Sequence, residues 1–514
     1  MNPYTIGVDL GTSSTRVIAF DLHGHELAVS IQTPTVMNSA PDAIEADPNA
    51  VFQSVVAGLT DLAQSGYSTP EAIGVTGQIG GAIAIDAAGN PIGAYESYLD
   101  ERATVYRDAR SNQEKQQARA LSGIDPYVMP RILRWKDQDV SRADMAAKVT
   151  MLPSWVTWML SDSSVSELCI DSTSVGLYGG ANIKTAQWDE DAVRSWGVSA
   201  DVLPMIVRPE HIVGKLSQKV SAATRILAGT PLVAGLGDAS AGWLGAGAIA
   251  PGDAVDTAGT TNHFSVVTDT FFADLDGALA TVPSALEGVF HLLGYTAGAG
   301  LSHRWFMTNI LGDPGLYRTF EELNNAAGKT MRTPSDLLFI PHLGGRVCPT
   351  EPEIRGAWIG LKWSHTQAHL YQAILEAVPL EYSLYISRMK NIGLKTKPQR
   401  VLGVGGGAKS SVWNQLKSDV LGLEYLVTDR EHTASWGAAL LAAHAVGRVP
   451  DLADAAVRGL ENISSVVPHL TKMAHYRHLS DIYANAIQAL RPTFCELREN
   501  DSIILGGNDD SQTI

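Results

Sequence analysis

Cysteine is scarce in this sequence, with Cys169, Cys348 and Cys495 the three found in 514 residues. Their number is odd, and their spacing matches neither a metal site nor a disulfide framework. Scattered, unpaired cysteines suit a reducing compartment, so the sequence predicts a cytoplasmic protein. Positive charge is also limited: 38 Lys and Arg residues face 54 Asp and Glu, a net charge of -16. This balance argues against nucleic acid or an anionic membrane as the main partner.

Long apolar runs are missing as well. The nearest approach is the Gly- and Ala-rich stretch 231–250, and Asp238 interrupts it. At the start of the chain Asp9 interrupts the apolar residues too early for a signal peptide. We therefore expect no membrane-spanning segment. The 45% hydrophobic and 18% charged residues instead describe a globular chain with a large core, and its length favours two large domains.

Residues 6–18 organise the rest of the chain. Apolar residues flank a polar centre, which predicts a β-hairpin with Gly11 at positive φ in its turn. The hydroxyls of Thr12 and Ser13 and the bare amides of the turn are groups that bind phosphate. Asp9 is placed to hold the metal that accompanies phosphates, and Arg16 adds a cation. The alternative is an ordinary hairpin with a polar turn.

A second copy of this pattern lies about half a chain later. Gly259, Thr260 and Thr261 align with the first loop, flanked again by apolar residues. In this alignment Asp9 corresponds to Thr257, so the second copy lacks the acid. The repeat predicts a duplicated fold in which two like domains grip a nucleotide between them.

Asp238 follows a buried strand, 232–237, and precedes small residues that predict a tightly packed helix to about residue 247. A lone carboxylate at a strand end is well placed to act as a general base. The alternative is that Asp238 caps the helix.

Three further residues are candidates for binding a substrate. Gln78 follows the buried strand predicted over 71–77, and ligands of α/β sheets bind beyond such strand ends. Asp100 accepts from hydroxyls and Arg102 donates to oxygens, so together they suit a polyol. The alternatives are a loop-capping glutamine and a surface ion pair.

The stretch 401–411 predicts a strand, a glycine turn and a helix N-terminus. Consecutive glycines let a flat ring or ribose lie against the backbone, and the helix end favours anions. The contact residues expected here are Gly406, Gly407, Ala408 and Ser411. Gly300, before a short helix, is expected in the wall of the same site. Helices are also predicted over 48–63, 367–391 and 435–444, the last packing behind the glycine turn.

These motifs together resemble the FGGY family of carbohydrate kinases over nearly the whole chain. The C-terminal pattern of that family is matched by residues 356–361, 369–370 and 373–376. Its opening loop is matched by 9–16, its catalytic aspartate by Asp238, its second phosphate loop by 259–261 and its adenosine loop by 405–411. Its sugar contacts are matched by the substrate candidates named above.

The resemblance implies an α/β fold of two ribonuclease-H-like, actin-like ATPase domains around a central cleft. ATP and Mg²⁺ are then expected in the cleft, with the metal at Asp9 and Asp238. The expected reaction is ATP-dependent phosphorylation of a small ketose or polyol, with a ketopentose such as D-xylulose the first candidate. Ribulose, gluconate, glycerol or another polyol are alternatives, as is a non-catalytic actin-like ATPase or sugar sensor.

The expected division is a first domain over 1–247, a second over 248–490 and a frayed tail over 491–514. The first domain would carry the sugar site, the first phosphate loop and the catalytic aspartate, and the second the remaining nucleotide contacts. A homodimer is the candidate assembly, although the sequence does not give the oligomeric state.

Four positions depart from the pattern of the xylulokinase-like members that this chain resembles. Ile79 and Gly80 replace a Met-His pair whose imidazole contacts sugar, Tyr98 replaces a tryptophan, and Gly345 replaces the acid before Arg346. Gly80 is expected to open space in the pocket, so that a longer or differently configured sugar could fit.

Overall fold

The computed structural model describes residues 2–33, 36–37, 43–259, 261–312, 319–330, 336–428, 430–458 and 463–506. Thr260 of the second loop motif therefore lies outside the described residues.

The first half of the chain mixes strands and helices. Its strands are β1 (Tyr4–Leu10), β2 (Thr15–Asp21), β3 (Glu26–Gln32), β4 (Val36–Met37), β5 (Glu45–Ala46), β6 (Ile73–Gly77), β7 (Ile83–Ile85), β8 (Tyr95–Glu96), β9 (Lys148–Thr150), β10 (Cys169–Asp171), β11 (Ala181–Asn182), β12 (Gln187–Trp188), β13 (Met205–Val207), β14 (Ile212–Lys215) and β15 (Pro231–Gly237). Its helices are α1 (Pro48–Gln64), α2 (Thr104–Asp108), α3 (Asn112–Ser122), α4 (Val128–Gln138), α5 (Val140–Met145), α6 (Leu152–Met159), α7 (Glu190–Ser195), α8 (Gln218–Thr224) and α9 (Asp238–Gly245).

The main sheet of this half has the order β3-β2-β1-β6-β15-β14. β1 pairs antiparallel with β2 and parallel with β6, and β6 pairs parallel with β15. Every residue of β1 and of β6 is buried, which explains why these strands read as apolar runs rather than alternating ones. The helix predicted over 48–63 is α1, with Asp47 as its N-cap and Pro48 in its first turn.

The second half has its own sheet and helices. Its strands are β16 (Asp253–Ala258), β17 (Asn262–Thr268), β18 (Ala280–Pro283), β19 (Phe290–Thr296), β20 (Leu338–Ile340), β21 (Ala357–Ile359), β22 (Arg400–Val404), β23 (Glu424–Thr428) and β24 (Ile463–Val466). Its helices are α10 (Gly300–Trp305), α11 (Phe320–Thr330), α12 (Gln367–Asn391), α13 (Ser411–Leu421), α14 (Thr433–Ala445), α15 (Leu452–Arg458) and α16 (Leu470–Gly506).

The second sheet repeats the topology of the first. Its order is β18-β19-β17-β16-β22-β23-β24, with β16 antiparallel to β17 and parallel to β22. In each half a strand, its hairpin partner and a third antiparallel strand extend to one side, and two later strands extend parallel to the other. The prediction of two like α/β domains of the ribonuclease-H-like, actin-like type is confirmed.

Helices α9 and α14 join the two halves. Trp243 of α9 packs with Val255 and Leu402 of the second sheet, whereas Ala439 of α14 packs with Ile18 of the first. The two helices approach closely at Gly437, where an added Cβ would lie 2.0 Å from the carbonyl oxygen of Ala241. The helix predicted over 435–444 thus forms, but it packs on the first sheet rather than behind the glycine turn.

The last helix, α16, continues to Gly506. The expectation that regular structure frays from about Arg491 is wrong for residues 491–506. In the part of the chain that the structure describes, no helix combines the length and apolar character needed to span a membrane.

Candidate functional site

Three parallel strands of the first sheet end at the same level. Leu10 of β1 lies beside Gly77 of β6, which lies beside Gly237 of β15. The residues that follow these strand ends are the first hairpin loop, Gln78 and Asp238. Residues distant in sequence therefore share one edge of the sheet, which is where ligands of such sheets bind.

The first hairpin loop is short and open. The Gly11 amide donates to the carbonyl of Ser14 at 3.0 Å, while Thr12 and Ser13 are exposed. Both side chains can be reached by a ligand, and the Thr12 side chain also hydrogen-bonds Tyr98. Gly11 does not adopt a positive φ, so that part of the prediction is wrong. A side chain is disfavoured there for another reason, because an added Cβ would lie 3.0 Å from the Ser14 carbonyl oxygen.

Asp9 and Arg16 lie directly opposite each other in the hairpin, and Arg16 Nη1 contacts Asp9 Oδ2 at 2.9 Å. Burial raises the pKa of the Asp9 carboxyl above its usual value, and the neighbouring guanidinium opposes that shift. This contact does not test the prediction that Asp9 binds a metal. The contact does mean that Arg16 already neutralises part of the acid's charge.

Asp238 is the first residue of α9, and the N-cap is Gly237. Its Oδ1 accepts from the Ala239 amide at 2.8 Å. Burial, and secondly the negative charge of Asp9, raise the pKa of Asp238 to about 7. A carboxyl with this pKa is poised to exchange a proton near neutral pH. Asp238 is not the N-cap residue of α9, but its carboxylate does bond to an amide of the first turn, so its catalytic role remains a prediction.

Gln78 is buried beyond the end of β6. Its backbone N–H donates to the carbonyl of Leu10 at 3.0 Å, and its side-chain Oε1 accepts from the Ser97 hydroxyl at 3.1 Å. Within the described residues the side-chain NH₂ has no hydrogen-bond partner. The side chain is therefore oriented by protein contacts at its oxygen and retains donors for a ligand.

Asp100 and Arg102 form a tight pair. Arg102 Nε lies 3.0 Å from Asp100 Oδ1, Nη2 lies 2.7 Å from Oδ2, and Nη2 also contacts Glu45 at 2.5 Å. The Asp100 side chain is fully buried, whereas a quarter of the Arg102 side chain is exposed. Asp100 thus orients Arg102, and of the two only Arg102 has exposed side-chain surface to offer a substrate. Both substrate-binding roles remain predictions.

In the second domain, the two predicted nucleotide loops are neighbours. β16 and β22 run parallel with Thr257 beside Val404, so the turns that follow them meet. Gly405 has a φ of 86°. Added Cβ atoms would meet Ala258 at both Gly405 and Gly407, at 2.8 Å and 2.7 Å. The glycine turn can therefore pack directly on the end of β16 only because it lacks side chains.

The remaining residues predicted to contact the nucleotide lie on the same turns or are the first residues of helices. The Gly259 amide donates to the Thr261 carbonyl at 3.1 Å, closing the second loop. Gly406 has no heavy atom within 4 Å of an added Cβ, so its outer face is open to a ligand. Ala408 is buried, Ser411 is exposed at the start of α13, and Gly300 is the first residue of α10. Their nucleotide-binding roles remain predictions.

Three further tyrosines lie near one another, and one of them, Tyr98, is near Asp238. Burial, followed by the neighbouring Tyr295 and Asp238, raises the pKa of Tyr98 to about 12, and a hydrogen bond with Thr12 opposes this. Tyr98 belongs to the first domain and Tyr295 lies in β19 of the second, so their interaction crosses from one domain to the other. Tyr127 is also near Tyr98. Their proximity depends on strand order, which no local sequence pattern reveals.

The space expected at Gly80 is filled. Gly80 has a φ of 82°, and an added Cβ would lie 3.2 Å from Tyr98 and 3.6 Å from the Tyr127 ring. The expectation that Gly80 enlarges the pocket is wrong. Gly345 is constrained in the same way, with a φ of 95° and Pro352 at 3.1 Å from an added Cβ.

The residues present fit a hydrated Mg²⁺ ion. The negative charge of Asp9 raises the pKa of Asp238, so these two carboxylates lie close enough to repel each other. A divalent cation relieves that repulsion, and Mg²⁺ is commonly held by one or two carboxylates together with phosphates and water. Among the described residues no group of three or more Asp, Glu, His or Cys side chains forms a metal site.

Comparison with known proteins gives a consistent match. Residues 4–245 and 254–446 match the models of the N-terminal and C-terminal domains of the FGGY family of carbohydrate kinases. A xylulose kinase of Staphylococcus epidermidis is 27% identical over 457 residues, which cover 86% of this chain and 88% of that protein. A gluconokinase of Bacillus subtilis is 25% identical over 521 residues, covering 97% and 98%. A solved xylulose kinase from Lactobacillus acidophilus has the same fold, with a TM-score of 0.88 at 21% identity over 96% of this chain and 100% of that one.

Proposed function

Because the chain belongs to the FGGY family of carbohydrate kinases, we propose that it transfers the γ-phosphate of ATP to a hydroxyl of a ketopentose, with D-xylulose as first candidate. The observation that carries the proposal is Asp238, a carboxyl with a pKa of about 7 at the edge where the predicted sugar and phosphate groups meet. The names of the relatives support the substrate class. A cytoplasmic location is part of the same proposal.

Asp238 acts as the general base. Its carboxylate accepts the proton of the attacking sugar hydroxyl while that oxygen forms its bond to the γ-phosphorus and ADP leaves. Since burial and Asp9 raise its pKa, the carboxylate is a stronger base than an exposed aspartate, yet it is substantially ionised at neutral pH.

The two hairpin loops hold the phosphates from opposite domains. Thr12 and Ser13 bring hydroxyls from the first loop, and Gly259, Thr260 and Thr261 are the residues assigned to the phosphates in the second. Arg16 supplies positive charge beside Asp9. Mg²⁺, when bound, neutralises charge on the phosphates, and Asp9 and Asp238 are the residues that would hold it. Phosphoryl transfer needs this positioning and charge more than any covalent chemistry.

The sugar contacts favour a neutral substrate. Gln78 offers amide donors, and a quarter of the Arg102 side chain is exposed to a ligand. The charge of Arg102 is already balanced by Asp100 and Glu45, both within 2.7 Å. A sugar acid would bring a further carboxylate to this guanidinium, so hydroxyl groups suit it better than the carboxylate of gluconate. Tyr98 and Tyr127 pack around Gly80 beside the predicted sugar site.

An ADP-release assay across D-xylulose, D-ribulose, L-ribulose, L-xylulose, gluconate, glycerol and erythritol tests the proposal. We expect the highest kcat/KM with a ketopentose. Strong activity with gluconate or glycerol and none with any ketopentose would refute the substrate class while leaving a kinase. Absence of sugar-dependent ADP release with every compound would count against the kinase reaction on these substrates.

A further inference from the structure

A fully buried carboxylate lies beneath both predicted nucleotide loops of the second domain. Asp256 on β16 has no exposed surface and precedes Ala258 by two residues. Side chains alternate along a strand, so Asp256 and Ala258 share one face of β16. Ala258 is the residue on which the glycine turn packs, through Gly405 and Gly407. Asp256 therefore lies on the same face of β16 as that contact, two residues earlier in the strand.

The two oxygens of Asp256 bind two different sets of partners. Oδ1 accepts from the Tyr382 hydroxyl at 2.7 Å and from Asn262 Nδ2 at 3.3 Å. Oδ2 accepts from Lys417 Nζ at 2.5 Å and from the Tyr425 hydroxyl at 2.6 Å. The side chains of Asp256 and Lys417 are both fully buried. A buried ion pair seldom stabilises a fold more than apolar residues of the same size, so a role other than stability is worth seeking.

The Oδ1 partners lead to the second phosphate loop. Asn262 immediately follows Thr261, and its Nδ2 donates to the Tyr382 hydroxyl at 2.7 Å as well as to Asp256. Tyr382 comes from α12, so the base of the loop is fixed to a long helix and to β16 at once.

The Oδ2 partners lead to the glycine turn. The Lys417 ammonium lies 3.7 Å from the ring centroid of Trp413 on the same helix, α13, in a cation–π contact. The Trp413 indole N–H donates to the Leu375 carbonyl at 2.9 Å. Its ring lies 2.7 Å from the position of an added Cβ at Gly407. Lys417 thus supports the ring on which the glycine turn rests.

We propose that Asp256 and Lys417 are positioning residues that hold the second phosphate loop and the glycine turn at a fixed spacing for an adenine nucleotide. They touch neither nucleotide nor sugar. They set nucleotide affinity because one carboxylate fixes the loop through Asn262 and the turn through Lys417 and Trp413. This inference rests on the proposed function in assigning ATP to these two loops.

Conservative variants separate the two sides of the network. Tyr382→Phe removes one hydroxyl on the Oδ1 side, Tyr425→Phe removes one on the Oδ2 side, and Lys417→Met removes the charge. Tyr476→Phe is the matched control, because Tyr476 is a buried tyrosine of the same domain whose hydroxyl donates to Glu376 at 3.0 Å. The measurements are the Kd for ADP by calorimetry without sugar, the melting temperature, and KM for ATP and for sugar.

We expect the Kd for ADP to rise about threefold in each tyrosine variant and about tenfold in Lys417→Met, because loop displacement weakens every contact to the nucleotide. Tyr476→Phe should leave it unchanged. In turnover, KM for ATP should rise more than KM for the sugar. A purely structural role would lower the melting temperature but leave the Kd of the folded protein unchanged.

The inference is overturned if Tyr382→Phe and Tyr425→Phe bind ADP as Tyr476→Phe does. Should Lys417→Met fail to fold, the two tyrosine variants decide. A wild-type protein that binds ADP but phosphorylates no sugar refutes the proposed function and leaves this test valid. A wild-type protein that binds no adenine nucleotide refutes both.

Discussion

At the scale of single residues, Asp238 determines how the proposed reaction depends on pH. Burial and the Asp9 charge raise its pKa to about 7, so protonation at lower pH removes the base. The kcat/KM for sugar should therefore rise with pH through an inflection near 7 and then level off. Initial rates from about pH 5.5 to about pH 9 measure this profile. A profile that stays flat through this range would contradict the role of Asp238.

Gly80 gives a second prediction at this scale. Gly80→Ala adds a Cβ 3.2 Å from Tyr98 at a backbone φ of 82°, which should displace the tyrosines beside the predicted sugar site. We expect KM for sugar to rise roughly tenfold with KM for ATP unchanged, as for a change confined to sugar binding.

Gly197→Ala is the control for Gly80→Ala. Gly197 also has a positive φ, of 62°, but no heavy atom lies within 4 Å of an added Cβ. Both variants should lose about 1 kcal/mol of folding free energy from backbone strain. If Gly197→Ala raises KM for sugar equally, crowding of the tyrosines is not the cause.

Single residues also show where sequence reasoning ends. The polar turns, Gln78 and Asp238 could be predicted because each follows an apolar strand in the chain. The contact between Arg102 and Glu45 could not be predicted, because these residues are 57 positions apart and meet only through tertiary structure. The prediction for Gly80 was wrong for the same reason. A glycine leaves free space only where no other side chain packs against it.

At the scale of elements, the contact between α9 and α14 links the two domains. Gly437→Ala would place a Cβ 2.0 Å from the Ala241 carbonyl oxygen and force the helices apart. We expect a loss of about 1–3 kcal/mol in the free energy of unfolding, as for overpacking in a core. Gly344→Ala is the control, because nothing lies within 4 Å of its added Cβ. Urea unfolding of both variants measures the difference, and equal stabilities would contradict the close contact.

Elements with a continuous local pattern were predictable. The helix predicted over 367–391 matches α12 despite Pro379 inside it, and both hairpins form where the apolar pattern places them. The partner of α14 was not predictable. Its small residues indicate close packing, but the surface they pack on lies on a sheet whose strands come more than 150 residues earlier in the chain.

At the scale of the whole molecule, the two predicted phosphate loops lie on different domains, with Tyr98 beside the first and Tyr295 beside the second. Sugar and nucleotide together should therefore draw the domains closer and exclude water from the transferred phosphate. Small-angle scattering should give a smaller radius of gyration with both ligands than with neither. An unchanged radius would indicate that the cleft does not close further.

The central claim is that Asp238 is the base of a sugar kinase built from these two domains. The most direct test compares wild type and Asp238→Asn for ketopentose-dependent ADP release, with ATP binding measured separately by calorimetry. We expect ATP to bind to both proteins with similar affinity. We expect turnover to be roughly 10²–10⁴-fold slower in the variant, because the proton acceptor is lost. Turnover of Asp238→Asn close to that of wild type would contradict it.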